Sequence, residues 1–539
     1  MKTYRGQPHW ELSSLIPEGE EGFAREVRES LDMVRDFTES LAGLDDPEKG
    51  GEWFRDLTLR LRVLEGRRRR YESVEELGDM ELPGFTVPWI LLSKASAASQ
   101  EFGKAVQLFM SRMQALPQER ADALLEAVPE DAYCMRRAMV NLTDDTPGLD
   151  GLVPSSLSAE LKKAQEAKRR GQRRKGLPTE FLEAVADWTR LGKPGERPGP
   201  HEHDDQLFEI PSEVVDTMLR VAREEGPKAF RKHFLWKAGL LGYKLLGLER
   251  FAAVPGKPVR VPSRMAFSLV LESFGEFAPI LEEHVSRMVY EGRLSMVRLP
   301  ESSSIVSCTI QSPEGEPPWV YVAPNDDLKS LIVLAQTLMR AAYLMHVGST
   351  GGFHSTPPQL LYDAVQAFGG LLAYRSLLGK VRDATRRNSV ICQFMYEVYL
   401  ECCTDVTTVV AQDDAFRALG DRGESLGQVM KEVKLRFAEQ FGDALSYQDS
   451  FSFETFVEKL FFRPPFLEYN YLFGKILAFG FWDIYEKEGS GFADRFLCIL
   501  AAGGRAAPLD ILAEAGVGPL DESFWRGCFR AIERFGDMR

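Results

Sequence analysis

The alternation of hydrophobic and polar positions along the chain has one strong centre. From Leu331 to Met345 the sequence reads LIVLAQTLMRAAYLM, with no Gly or Pro. Asn325-Asp326-Asp327 precede this run and Gly348 follows it, a helix start signal and a stop signal, so a buried helix is predicted. Besides Tyr343, its polar side chains are Gln336, Thr337 and Arg340. At about 100° per residue, Gln336 and Arg340 lie one turn apart on one face, with Thr337 beside Gln336. A guanidinium on so apolar a helix costs several kcal/mol unless something pairs with it. Either the helix is open on one side and Arg340 snorkels to water, or Arg340 has a buried partner.

Around this centre the patterning is mostly helical. Up to about Leu191, helical periodicity alternates with breakers such as Gly50-Gly51, Pro83-Gly84 and Pro147-Gly148, which predicts an all-helical lobe. The stretch 192–205, GKPGERPGPHEHDD, cannot continue a helix and divides the chain into lobes of residues 1–195 and 206–539. Its His201, His203, Asp204 and Asp205 have the composition of a surface chelate, but a polar loop is the simpler reading. Helices resume near Ile210. Two β-rich runs, 305–310 and 319–322, flank a Ser312-Pro313-Glu314-Gly315 turn and predict a hairpin. The fold class expected is mainly α, with a small sheet or hairpin near residues 300–323.

Composition narrows the function classes. At 539 residues the chain can bury a large core in two or more lobes. The net charge of −14 argues against a nucleic-acid partner. The basic runs Arg67 to Arg70 and Lys162 to Lys175 then read as solvated helix faces rather than anion sites. Seven Cys without a Cys-x-x-Cys pair suggest neither a disulfide framework nor a thiolate zinc site. No apolar leader opens the sequence and no run reaches bilayer length, so a cytoplasmic protein without a membrane partner is expected.

The segment 318–325, PWVYVAPN, followed by Leu334-Ala335-Gln336-Thr337-Leu338-Met339-Arg340-Ala341, resembles a block of the oligoendopeptidase F and thimet oligopeptidase family of zinc peptidases. That family has a short strand here, then a helix reading L-A-H-E-L-G-H-A, whose two His bind zinc and whose Glu is the general base. Gln336, Thr337 and Arg340 stand at those three positions. The family's second helix begins E-x-x-S-x-x-x-E, with its first Glu the third ligand; Asp363, Gln366 and Gly370 fall there. The family's G-K-R-x-G-A-F strand is represented by Ser302 to Cys308, and its I-F-R-Q-T-M-F helix by Val390 to Tyr396, with Cys392 for the Arg. Phe466 to Gly474 resembles F-Y-x-Y-x-Y-A-T-G, whose tyrosines stabilise the oxyanion. Tyr469 and Tyr471 match, Leu467 replaces the leading Tyr, and Phe461 lies where a His would be. Trp10, Leu12, Leu15 and Pro17 follow the family's opening pattern. Gly503-Gly504, Pro508, Ala515-Gly516-Val517 and Phe524-Trp525 follow its closing one.

The resemblance implies a two-lobed helical metallopeptidase-like fold around a deep cleft, with the zinc helix at 331–345 disarmed. The function it favours is a catalytically inactive homologue that holds a peptide or partner protein in the cleft, at Tyr469, Tyr471, Asp363 and Arg340. No catalytic residue, metal or cofactor is expected. The alternative is an active metallo-oligoendopeptidase with a non-standard metal set, for which His346, His354 and Asp363 are the candidates. Cys308 is a conceivable replacement nucleophile, with a buried structural Cys the simpler reading. If the helices cross as in the family, Arg340 and Asp363 should form an ion pair in place of the metal.

Overall fold

Asp327 starts the central helix, Leu328–Gly348, by accepting a hydrogen bond from the Ser330 amide at 2.7 Å, one of the donors a helix start leaves open. Its neighbour Asp326 accepts from the amide and hydroxyl of Ser263, both at 3.0 Å, at the start of helix Ser263–Phe277. Two adjacent carboxylates thus begin two helices. The computed structural model describes residues 10, 15–16, 18–80, 86–140, 155–169, 179–191, 210–245, 249–256, 259–298, 306–313, 315–348, 356–445 and 467–537.

By length and apolar composition alone the central helix would suffice to cross a membrane, which corrects the expectation that no run is long enough. Here 67% of its apolar window is buried inside the protein. It packs against helix Gln359–Lys380, helix Ser263–Phe277 and a small sheet. Helix Leu467–Glu488 also packs along Gln359–Lys380. Close approach is secured by glycines. A Cβ on Gly369 would lie 2.5 Å from the Met339 Cβ, and one on Gly474 would lie 2.7 Å from the Asp363 Cβ. Neither contact is tolerable, so any larger residue would push these helices apart.

The sheet has three strands, β1 (Leu294–Ser295), β2 (Ser307–Ile310) and β3 (Trp319–Val322), in the order β1-β3-β2. The predicted hairpin is the antiparallel β2–β3 pair, with Cys308 opposite Tyr321. Strand β1 pairs parallel to β3 and is too short to leave an alternating pattern. All four residues of β3 are buried, because its two faces serve two cores. Trp319 and Tyr321 join the core of the N-terminal helices, with Phe23, Phe54, Tyr71 and Phe102. Val320 and Val322 join the larger core. Leu157, Phe181 and Trp188 also belong to the larger core, whereas Met135 belongs to the first. The two cores therefore part ahead of the Pro/Gly-rich stretch.

Trp10 ties the cores together at the sheet. Its indole N–H donates to the carbonyls of Arg293 at 2.9 Å and Val320 at 3.0 Å. Its ring meets Trp319 edge-on at 5.7 Å. A large buried aromatic with a satisfied N–H contributes both packing and orientation. Trp10→Ala is expected to lower unfolding stability by about 3–5 kcal/mol. Trp10→Phe, which keeps most of the packing, should cost about 1–2 kcal/mol. Urea unfolding measures both, and an unchanged midpoint for Trp10→Ala would contradict this role.

Candidate functional site

The three polar residues of the central helix each find a non-metal role. Thr337 is buried, and its hydroxyl donates to the Val333 carbonyl one turn back at 2.7 Å, so no free base projects there. Gln336 lies against helix Gln359–Lys380 where that helix has Gly370; a Cβ on Gly370 would sit 3.2 Å from the Gln336 Cγ. Arg340 is half-buried and meets no carboxylate among the described residues. Its guanidinium carbon lies 4.2 Å from the centroid of the Tyr362 ring, and its Nε is buried without an acceptor.

The expected Arg340–Asp363 ion pair is not formed. Asp363 is 1% exposed, and its carboxylate is taken up by two amides. Gln359 Nε2 lies 3.1 Å from both oxygens, and Gln366 Nε2 donates to Oδ1 at 2.9 Å. Burial pushes this carboxyl up to about 6, against the Gln359 hydrogen bond and the charges of Arg340 and Lys475. Two cations thus reach Asp363 through space without touching it. The physical reason is local: Tyr362, adjacent to Asp363, offers its ring face to Arg340, while Gln359 and Gln366 lie one turn either side of the carboxylate and reach it first.

The donor set does not fit zinc. Among the described residues no three of His, Cys, Asp and Glu come together. His346 turns to His284, Nδ1 to Nε2 at 3.3 Å, rather than to Asp363. Burial, with the charges of His346 and Arg287, holds His284 down at about 4. His354, His201, His203, Asp204 and Asp205 lie outside the described residues, as do Phe461 and Ser302 to Ser304. A guanidinium within about 5 Å of a dication, at an effective dielectric of about 20, would repel it by about 7 kcal/mol. Arg340 is therefore a worse neighbour for a metal than a neutral residue would be.

The other candidates are placed as follows. Cys308, on β2, has its sulfur 3.4 Å from the Met80 sulfur, and burial pushes the thiol up to about 11. A nucleophilic thiol needs the opposite shift. Tyr471 is 44% exposed on helix Leu467–Glu488. Tyr469 lies on the same helix, with its side chain outside the described set. Cys392 is buried in helix Ala384–Tyr399. The basic run is matched by acids: Arg67 and Arg70 reach Glu26 at 3.4 and 3.0 Å, and Arg68 reaches Glu65 at 2.5 Å.

Sequence reading missed Tyr362, Gln359 and Lys475. The last had a signal, a lone charge in the apolar run LFGKILAFGFW. Its ammonium meets Glu401 at 2.8 Å.

Replacing Asp363 tests this description. Its folded value of about 6 stands above its ordinary 3.8, so the stability it confers is full below pH 3.8 and is lost as pH rises through 6. Asp363→Asn does not titrate. Its advantage over the natural chain is expected to appear between those values and to level off near 3 kcal/mol at neutral pH, about 1.4 kcal/mol per pH unit. Chemical unfolding across a pH series measures it, and a pH-independent difference would contradict it.

Comparison of the sequence with protein-family models and with curated proteins finds no match. Solved structures do match over nearly the full length. A protein from Chlamydophila abortus, provisionally described as a peptidase, superposes with a TM-score of 0.73 at 12% identity, covering 98% of each chain. A structure provisionally described as oligoendopeptidase F gives 0.60 at 12% identity, covering 94% of this chain and 96% of the other. PZ peptidase A, solved with an inhibitor, gives 0.58 at 12% identity, covering 95% and 97%. At that identity the likeness establishes the fold. From the N-terminal helices to the last, this chain is built on the fold of the oligoendopeptidase F peptidases.

Proposed function

We propose that this chain is a peptidase-fold protein that has given up metal-dependent hydrolysis and keeps the scaffold to hold a peptide or a segment of a partner protein. The observation that carries the reading is the fate of the zinc positions implied by the resemblance. Gln336, Thr337 and Arg340 are replaced together, and their side chains are committed to helix packing, a backbone carbonyl and the Tyr362 ring. The residue best suited to ligate, Asp363, is enclosed by Gln359 and Gln366, whose amide N–H groups donate to the carboxylate oxygens that would otherwise face a metal. Meanwhile the glycines that set helix spacing persist at Gly369 and Gly474. Loss of chemistry with retention of packing is what a binding role on an old frame requires. Arg340 and Tyr471 are the side chains through which a peptide would be felt.

Purified protein incubated with a fluorogenic peptide panel is expected to show no turnover, with or without added zinc or chelator. Labelled peptides from the same panel should bind and be released by unlabelled competitor. The combined replacement Gln336→His, Thr337→Glu and Arg340→His, with Asp363 left in place, should restore zinc uptake, since it supplies three ligands on the retained frame. Turnover by the natural chain that a chelator abolishes would overturn the proposal. So would the absence of any peptide binding.

A further inference from the structure

We infer that a cavity beside Gln336 is a binding site for the ammonium end of an unbranched aliphatic primary amine. The site needs only the cavity and its lining, and it stands whether or not hydrolysis has been lost.

The cavity, of about 80 Å³, lies between the central helix and helices Gln359–Lys380, Ala384–Tyr399 and Leu467–Glu488. Gly370 is part of its wall, and a Cβ there would press on Gln336 and Ile332 at 3.2 Å. Its walls are mainly aliphatic and aromatic. The polar groups on its lining are Gln336, Gln393, Glu397, Glu401, Lys475 and Lys329. Lys475 and Glu401 neutralise each other at 2.8 Å. Lys329 is exposed and solvated. The group left over is Glu397, half-buried one turn before Glu401, with no hydrogen-bond or ion-pair partner among the described residues. Burial pushes its carboxyl up, and Lys329 pulls only part of the way back.

An unpartnered carboxylate on the lining of a mainly apolar cavity, together with the side-chain amides of Gln336 and Gln393 on the same lining, can offer acceptors to an ammonium group. The aliphatic walls suit methylenes. A space of about 80 Å³ is roughly that of two or three waters, enough for the ammonium and its first methylenes, with the rest of the chain leading outward. An anion would meet the Glu397 carboxylate, the one acidic group on the lining without an ion-pair partner among the described residues. The same chemistry is presented by a lysine side chain of a polypeptide and by a free diamine.

Titration calorimetry on the full chain, with cadaverine and Nα-acetyl-lysine methylamide as probes and 1-pentanol and pentanoate as controls, decides the matter. Binding of the lysine amide identifies a polypeptide source, and binding of cadaverine alone a free amine. Either result supports the site, provided the controls do not bind. Glu397→Gln is expected to weaken amine binding about tenfold to a hundredfold, as loss of a charged hydrogen bond does. Val333→Phe, on a half-exposed wall, should block entry without altering charge. No heat from either amine at about 10 mM, the range of the weakest specific sites, would overturn the proposal and leave a water-filled cavity. Equal binding of pentanol, or undiminished binding to Glu397→Gln, would overturn it as well.

Discussion

A helix enclosed by other helices has to accommodate the polar side chains it carries, and the structure around Leu328–Gly348 follows from that requirement. Thr337 satisfies itself on its own backbone. Gln336 fits because its neighbour has Gly370. Arg340, the expensive member, is met by the face of an aromatic ring. A ring face stabilises a cation by about 1–2 kcal/mol when water is excluded, less than a carboxylate would, but it imposes no second desolvation. Asp363 then has to be satisfied separately, and Gln359 and Gln366 do so. The arrangement leaves a carboxyl near 6 and a cation that never touch.

The same logic of shared burial joins the two cores. A four-residue strand with no exposed face cannot belong to one lobe alone, and β3 gives alternate side chains to each. Trp10 completes the junction by capping the carbonyls of Arg293 and Val320 at the sheet. Cys134 and Gly504 add a second junction, where the thiol donates to the Gly504 carbonyl at 2.8 Å and the missing Cβ of Gly504 leaves room for the Thr356 carbonyl. Glycines in the closing pattern thus report on contact between distant parts of the chain.

Local signals were the ones legible in the sequence. The central helix begins and ends where Asp327 and Gly348 put it, and the hairpin falls on the two β-rich runs, because caps and alternation are properties of neighbouring residues. Asp521, which accepts from the Phe524 amide at 2.9 Å, starts the last helix in the same way. What could not be read depends on residues far apart. The His284–His346 contact joins two helices, and β1 is defined only by β3. Arg340 could be read as either open to water or partnered, and the choice of Tyr362 over Asp363 rests on a register between helices that no spacing encodes. The cavity beside Gln336 was invisible for a related reason: Gly370 was noted as a missing carboxylate, and its place in the cavity wall, close against Gln336, requires the facing helix.

The central proposal is that the positions which the family resemblance would assign to zinc are instead arranged around the Arg340 cation. Metal content of the purified chain, measured by inductively coupled plasma mass spectrometry after mild dialysis, tests it most directly. The account predicts zinc far below one equivalent, unchanged when Asp363 is replaced by Asn. Near-stoichiometric zinc that disappears with Asp363→Asn would contradict it and return Asp363 to the role of a ligand.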